Sequence, residues 1–381
     1  MKRNLWIAIL GIVVPASSLA QVQVGGLADI VVRNSGEEDI TNQTFGGMSN
    51  LDLARTRIFF DAMVSEKAQF FAQILMDNSE FVLYSAYARL QEVGGSPLSV
   101  HLGLIPTTVG TYTERAYSDK NPLVGIPLVH NHHSAILADR TQRTVSDLRE
   151  TAIDRSRFGL PIIYDNCWNV GAEVYGSRGR FDYSVGLLSG SLTKPTTTQV
   201  KDVPQVTTHL SWYQNAGFVV GVSGFLGPYL YDGLASLDVS DPSGGGPSAY
   251  ADPLDYLNGG AGYDAYWSSR YWEFRSESFY AFWEHPSLPT LSAASGYLEG
   301  KYKITPGWYL AGRAGYFHPF EVTDENGDSQ RWDYRVHRFE YGIGYRPTRR
   351  VTMKLVAQHN RFDGAPTLAR DHYMMQVSTA F

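Results

Sequence analysis

The sequence predicts an all-β chain folded as a transmembrane antiparallel β-barrel of about 16 strands. Three observations predict it. Apolar residues recur with period two, short connections alternate with long ones, and aromatic residues gather beside the short connections. Period two sends successive side chains to opposite faces of a strand. In VTMKLVAQHN, Val351, Met353, Leu355 and Ala357 share one face, and Thr352, Lys354, Gln358 and Asn360 the other. Phe339, Tyr341, Ile343 and Tyr345 alternate with Glu340, Gly342, Gly344 and Arg346. Phe181, Tyr183, Val185 and Leu187 oppose Asp182, Ser184 and Gly186, while Ala294, Leu298, Tyr302 and Ile304 oppose Glu299, Lys301 and Lys303.

Taken in order, the chain opens with a leader. Lys2 and Arg3 precede an apolar run, Leu5 to Val14, that is too short to cross a bilayer, and small Ser18 and Ala20 follow it. This is the pattern of a secretory signal peptide, residues 1–20, cut after Ala20. Residues 21–381 then read as one barrel domain, with strands at 21–33, 51–64, 68–77, 81–92, 97–105, 166–177, 179–190, 205–214, 216–228, 260–270, 271–284, 291–304, 306–318, 334–347, 349–361 and 371–381. Each is long enough to cross a bilayer as a tilted strand, and no apolar run of helical-span length interrupts them. Short turns fall at 65–67, 93–97, 177–180, 215–217, 268–270, 305–307 and 347–349. Longer connections lie between them, at 34–50, 106–165, 191–204, 229–259, 285–290, 319–333 and 362–370, with 77–80 the one short member. Segregated loop lengths are the mark of a membrane barrel, and a soluble sandwich has no reason for them. Of the 18 prolines, Pro15 lies in the leader and all others fall in turns, loops or strand ends, as ladder hydrogen bonding requires.

The stretch YWSSRYW places rings on both sides of a polar turn, Ser268–Arg270. Trp212 and Phe218 bracket another turn, Tyr302 and Trp308 a third, and Tyr345 precedes Pro347. Trp212, Trp267, Tyr271, Trp272 and Trp308 therefore form a girdle at the membrane–water boundary, where a ring with a polar tip is satisfied on both counts. Outer-membrane lipid is the partner this implies. The net charge of −6 becomes two units more negative when Lys2 and Arg3 leave, which argues against a nucleic-acid partner. A lone Cys167 allows no internal disulfide.

The final strand ends Tyr373-Met-Met-Gln-Val-Ser-Thr-Ala-Phe381, with Tyr373, Met375, Val377 and Phe381 on one face. That ending resembles the signal read by bacterial barrel-assembly machinery. With the leader, the strand number and the very long third loop at 106–165, the mature chain resembles a Gram-negative outer-membrane porin. Within that superfamily Tyr87-Ala-Arg-Leu-Gln91 and His101-Leu-Gly-Leu-Ile-Pro-Thr-Thr-Val-Gly110 are similar to the phosphate-selective porin O and P group. Val109 stands where that group has phenylalanine, and the loops lack its dense lysine runs. The resemblance implies the cell outer membrane, passive diffusion of small hydrophilic solutes or ions, a homotrimer and no cofactor.

A barrel this wide has a water-filled interior lined by inward side chains. Alternation turns Arg55, Arg57, Arg89, Arg275, Lys301, Lys303, Arg313, Arg338, Arg346 and Lys354 inward, against Asp61, Asp77, Glu173, Asp182, Asp264, Glu273, Glu277, Glu299 and Glu340. Arg55, Arg57, Arg89, Lys301, Lys303, Arg313, Arg338, Glu173, Glu299 and Glu340 are the selectivity candidates. The porin resemblance implies a basic wall at Arg55, Arg57 and Arg89 facing a third loop that narrows the channel, with Glu114, Arg115, Asp119 and Lys120 at the constriction. Crossed charges there would set a transverse field. Most aromatics alternate outward, which speaks against a sugar channel.

Other chemistry is weakly signalled. His130, His132 and His133 could bind zinc or copper, but no carboxylate or cysteine sits beside them at ligand spacing. Asp324-Glu-Asn-Gly-Asp328 lacks the distal glutamate of a calcium loop. Asp241-Pro-Ser-Gly-Gly-Gly246 leads into neither a Lys-Ser/Thr pair nor a helix, so it is no phosphate cradle. An outer-membrane phospholipase would need a Ser–His pair on the lipid face; His359 faces outward with no serine assigned to it, and no Gly-x-Ser-x-Gly elbow occurs. The sequence thus expects a channel rather than an enzyme, with a plugged or ligand-binding barrel as the alternative that long loops permit.

Overall fold

A two-residue period cannot leave unpaired edges in a membrane, so the strands must close on themselves. They do so in the computed structural model, which describes residues 21–34, 53–77, 80–153, 159–164, 168–195, 203–230, 237–239, 249–365 and 371–381. The leader, Cys167, the 241–246 loop tip and the third-loop charges at 154, 155, 157 and 165 lie outside the described residues. The strands are β1 (Gln21–Arg33), β2 (Leu53–Ser65), β3 (Ala68–Asp77), β4 (Glu80–Leu90), β5 (Leu98–Pro106), β6 (Trp168–Arg178), β7 (Phe181–Leu188), β8 (Gln205–Asn215) and β9 (Phe218–Pro228). A small loop hairpin follows, β10 (Leu237–Val239) with β11 (Ala249–Ala251). Then come β12 (Leu257–Ser268), β13 (Trp272–Trp283), β14 (Leu291–Thr305) and β15 (Trp308–Pro319). A second loop hairpin, β16 (Glu321–Thr323) with β17 (Ser329–Arg331), precedes β18 (Val336–Tyr345), β19 (Val351–Phe362) and β20 (Asp371–Ala380).

Apart from the two hairpins, these strands form one closed barrel in chain order, sixteen in all, each antiparallel to the next. All sixteen predicted strands are present, with ends shifted by a few residues. The two hairpins lie within the connections at 229–259 and 319–333, where the sequence carries no strand-length alternation. β20 closes on β1 from Leu27 opposite Ala380 to Arg33 opposite Met374. One notch further, Gly26 N–H donates to the Phe381 carbonyl at 2.9 Å and Phe381 N–H returns the bond at 3.0 Å. The register slips by one residue just before three of the short turns, between Met63 and Ser65, Tyr213 and Asn215, and Lys303 and Thr305. Such bulges tighten the twist where a strand must reverse.

The outer wall is apolar: Val24, Ile30, Val222, Leu298, Leu310 and Leu355 stand exposed on it. Facing inward instead are the alternation partners Asp29, Arg57, Glu277, Glu299, Arg313, Arg338 and Lys354, all buried. What buries them is the loop between β5 and β6. It carries a 3-10 turn at Thr113–Arg115 and two helices, α1 (Leu128–Asn131) and α2 (Val145–Ile153). At the start of α2, the Asp147 carboxylate accepts from Arg143 N–H (3.3 Å) and Thr144 N–H (3.2 Å), while the Thr144 hydroxyl accepts from Asp147 N–H (3.0 Å). That reciprocal cap fixes where the helix begins. Val129, Ile136, Leu160 and Ile163 of the loop pack with wall residues Leu188, Phe279, Trp283 and Phe317 into a buried apolar core. Trp332, from the loop before β18, completes it. The core therefore sits inside the barrel, toward the long-loop end.

Candidate functional site

The third loop is tied to the inner wall residue by residue. It enters at β8, β9 and β13. Thr108 meets the Thr207 hydroxyl, Gly110 N–H donates to Ser223 Oγ (3.1 Å), and Glu277 Oε1 accepts from Thr111 N–H (2.6 Å) and Oγ1–H (2.7 Å). It then crosses to the far wall. Arg115 pairs with Glu299, and Ser118 Oγ donates to Asp29. Tyr117 donates to Gln73 Oε1 (3.0 Å), and Lys354 Nζ donates to the carbonyls of Ser118 (2.6 Å) and Leu123 (3.1 Å). On its return the loop lies over β15 and β18, where Arg313 donates to the Gly125 carbonyl (2.8 Å) and Asn121 Oδ1 (2.9 Å), and Arg338 to the Ile126 carbonyl (2.8 Å).

Arg313 is the centre of this node. It also pairs with Glu299 at 2.7 Å and Glu340 at 2.9 Å. Two guanidinium groups, Arg115 and Arg313, thus face two carboxylates, Glu299 and Glu340, all buried. Buried charge survives only when paired and hydrogen-bonded on every side, and this group meets both conditions. Four of the predicted selectivity residues, Arg313, Arg338, Glu299 and Glu340, are therefore engaged as anchors of the loop. Arg115 joins them from the loop, and Asp119 offers its carbonyl to Arg346. Glu114 and Lys120 remain exposed. Lys120 stacks on Tyr117, with its Nζ 5.5 Å from the ring centroid.

On β2, Arg57 is buried, 3.9 Å from Asp29, with its guanidinium over the rings of Tyr117 (5.3 Å) and Tyr84 (5.8 Å). Arg55 is half-buried beside it on β2. Arg89 donates to His101 Nε2 (3.1 Å), and His101 Nδ1 meets Glu173 Oε2 at 2.8 Å. Near the short-turn end, Lys301 and Lys303 share Glu273, at 3.5 and 3.0 Å.

One arrangement escaped sequence reasoning. Phe59, Phe71, Tyr87 and Tyr175 all face inward, and with Tyr117 and His101 they form an unbroken row of rings over β2–β6. The weight given to outward aromatics concealed it. A signal was present in the doublets Phe59-Phe60 and Phe70-Phe71: in a strand, one ring of each must face the lumen. Tyr266 is a second case. It opens the YWSSRYW turn beside the girdle residue Trp267, yet it points inward under Arg275, whose guanidinium lies 4.0 Å from the ring centroid.

The rest of the girdle forms a belt at the short-turn end. Trp272 lies 4.5 Å from Tyr302 and 5.5 Å from Phe274, and Phe274 lies 5.6 Å from Trp267. Tyr271 lies 6.5 Å from Tyr302, Trp308 stacks on Tyr345 at 4.3 Å, and Trp212 meets Phe218 at 6.4 Å. Tyr373 and Phe381 face outward on the last strand. The histidines diverge. His130 meets Glu277 Oε2 at 2.9 Å, His132 packs on Phe317 at 4.4 Å, and His133 Nδ1 meets the Gly159 carbonyl at 2.6 Å. Among the described residues no three His, Cys, Asp or Glu side chains converge as a metal set. Asp324 accepts from the backbone of Asn326 and Asp328 (2.8 Å each) and from Gln330 (2.6 Å), an ordinary polar turn.

No family model and no curated protein matches the chain. Solved structures match along almost its whole length. The anion-selective porin from Comamonas acidovorans aligns with a TM-score of 0.57 at 10% identity, covering 95% of this chain and 100% of that one. The outer membrane channel DcaP of Acinetobacter baumannii aligns at 0.53 and 11% identity, covering 95% and 97%. Salmonella typhi OmpF, solved with daunomycin, aligns at 0.53 and 13%, covering 95% and 98%. The likeness is one of fold: this chain has the sixteen-strand barrel of those proteins.

Proposed function

We propose that the protein is an outer-membrane porin, exported by residues 1–20 and carrying small hydrophilic solutes or ions by passive diffusion. The observation that supports this best is the sorting of side chains. A closed wall is apolar outside, belted with aromatics at one rim, and charged inside, with a long loop held in the lumen by buried ion pairs. A soluble barrel would gain nothing from that sorting. Tyr373 and Phe381, outward on the closing strand, fit recognition by assembly machinery. A homotrimer fits as well, since Vibrio cholerae OmpT, of like fold, has been solved in a trimer form. We do not extend the reading to phosphate selectivity. Arg313 is matched by Glu299 and Glu340, and Lys301 and Lys303 share Glu273, so these inward cations are held by carboxylates of the wall.

Single-channel current across a planar bilayer under a KCl gradient tests the proposal. Stable conductance steps are expected, and the sign of the reversal potential gives the charge preference of the lumen. A second reading, a barrel plugged at the long-loop end, is favoured by the apolar core that the third loop builds inside the wall. Folded protein that never conducts would replace the first reading with the second.

A further inference from the structure

We infer that the inner wall over β2–β6 is a carbohydrate-binding track, a site that rests on the channel reading and gives it a substrate class. The ring centroids follow one another at 5.7 Å from Tyr117 to Phe59, 6.4 Å to Phe71, 5.4 Å to Tyr87, 5.1 Å to His101 and 4.4 Å to Tyr175. Strand register shows how the row runs. Phe59 pairs with Gln73, two residues beyond Phe71 on β3. Phe71 pairs with Tyr87, and Tyr87 with Gly103, two residues beyond His101 on β5. His101 pairs with Glu173, two residues before Tyr175 on β6. The row steps along the strands from the third loop toward the short-turn end, where Tyr175 stands three residues from Arg178, the last of β6.

A second line runs beside it. Gln69 donates to Asp61 (2.5 Å), Arg89 to Gln69 (3.5 Å) and to His101 (3.1 Å), and His101 meets Glu173 (2.8 Å). Hydrogen-bonding groups therefore border the rings from Phe71 to Tyr175. The two lines together match one chemistry. A pyranose presents a C–H face, which loses little by leaving water for a ring, and a rim of hydroxyls that both donate and accept. Carboxylates of the rail stand beside Arg89 and His101, so it offers little net field to a free ion. A purely apolar solute would strand the polar rail. Packing alone does not account for the row either. Tyr87 joins the buried core, Phe71 packs against it and His101 is buried beside them, but Phe59 and Tyr175 stay half-buried outside that core on a wall that is otherwise polar.

Maltohexaose, added to a bilayer carrying the intact protein, is the test. It is expected to interrupt the KCl current in a concentration-dependent way. Phe71→Ala and Tyr175→Ala should each raise the half-blocking concentration roughly five- to tenfold. Val222→Ala, on the lipid face, should block as the parent does. Conducting channels that no maltodextrin interrupts, or block unaltered in both ring variants, would overturn the track and leave the porin reading intact. Should the barrel not conduct, the porin reading falls separately, and quenching of Trp168 fluorescence in detergent-solubilised protein decides the track. Trp168 lies 6.5 Å from Tyr87. Saturable quenching that Phe71→Ala weakens would uphold the site, and none would overturn it.

Discussion

Arg313 shows what one residue can hold together. Its guanidinium serves two carboxylates on neighbouring strands and two acceptors on the third loop, all out of reach of water. Arg313→Met would leave Glu299 and Glu340 buried with much of their counter-charge gone. Breaking such a pair typically costs about 3–5 kcal/mol. The expected result is a lower melting temperature by circular dichroism, together with protease cleavage in the loop between 116 and 126. Arg313→Lys should rescue little, because a point charge cannot bridge both acids as a planar fork does. Lys303→Met is the contrasting case. That amine is half-exposed beside Glu273, so its loss should shift stability by less than about 1 kcal/mol. Equal melting of the Arg313→Met and parent proteins would show that the loop is held by its apolar core instead. Alternation in the sequence turned Arg313, Glu299 and Glu340 inward correctly, because a face is a local property. Their engagement with Asn121 and Gly125 was not legible, since it depends on where a distant loop lies.

At the level of elements, legibility follows periodicity. The sixteen wall strands declare themselves through alternation, and their pairing follows because each neighbour in sequence is a neighbour in space. The third loop has no period of two. Its apolar residues Val129, Ile136 and Ile163 are buried by the wall rather than by one another's repeat, so α1, α2 and their core gave no signal in sequence. The seam carries the next prediction. A Cβ placed on Gly26 would stand 2.1 Å from the Phe381 ring, and Gly26 exchanges two backbone hydrogen bonds with that residue. Gly26→Leu should therefore drive Phe381 off the wall just where β20 must meet β1. Overpacking of this kind typically costs about 1–3 kcal/mol. The yield of barrel that migrates as folded protein on a cold detergent gel should drop, and adding Phe381→Ala should restore part of it if the clash is the cause. A double variant no better than Gly26→Leu would place the defect in the strand backbone.

For the molecule as a whole, the question is what couples the lumen to the outer loops, and Asp333 is the joint. It lies between β17 and β18, outside the membrane-spanning strands, and its carboxylate accepts from the third loop's Ala135 N–H (2.9 Å) and from Tyr334 N–H (2.6 Å). Burial pushes this carboxyl up to about 7, against the weaker pull of those two N–H groups and of Arg149. The folded protein thus holds the proton more tightly than the unfolded chain. The contribution of this group to stability is complete below the ordinary carboxylate range and is lost as pH rises through about 7. His285, in the loop after β13, works in the opposite sense. Burial lowers it to about 4, so its contribution is lost as pH falls from the ordinary imidazole value toward that point. The outer end is accordingly held best in mild acid, where both groups are neutral. Raising the pH from about 5 to about 8 should loosen the loop segment at 133–138, seen as faster amide hydrogen exchange there after correction for the intrinsic pH effect. Asp333→Asn keeps an oxygen for the Ala135 N–H and cannot ionise, so its corrected exchange should be flat across the same interval. An Asp333→Asn protein that loosens as the parent does would assign the pH response to another group and leave Asp333 a fixed strut.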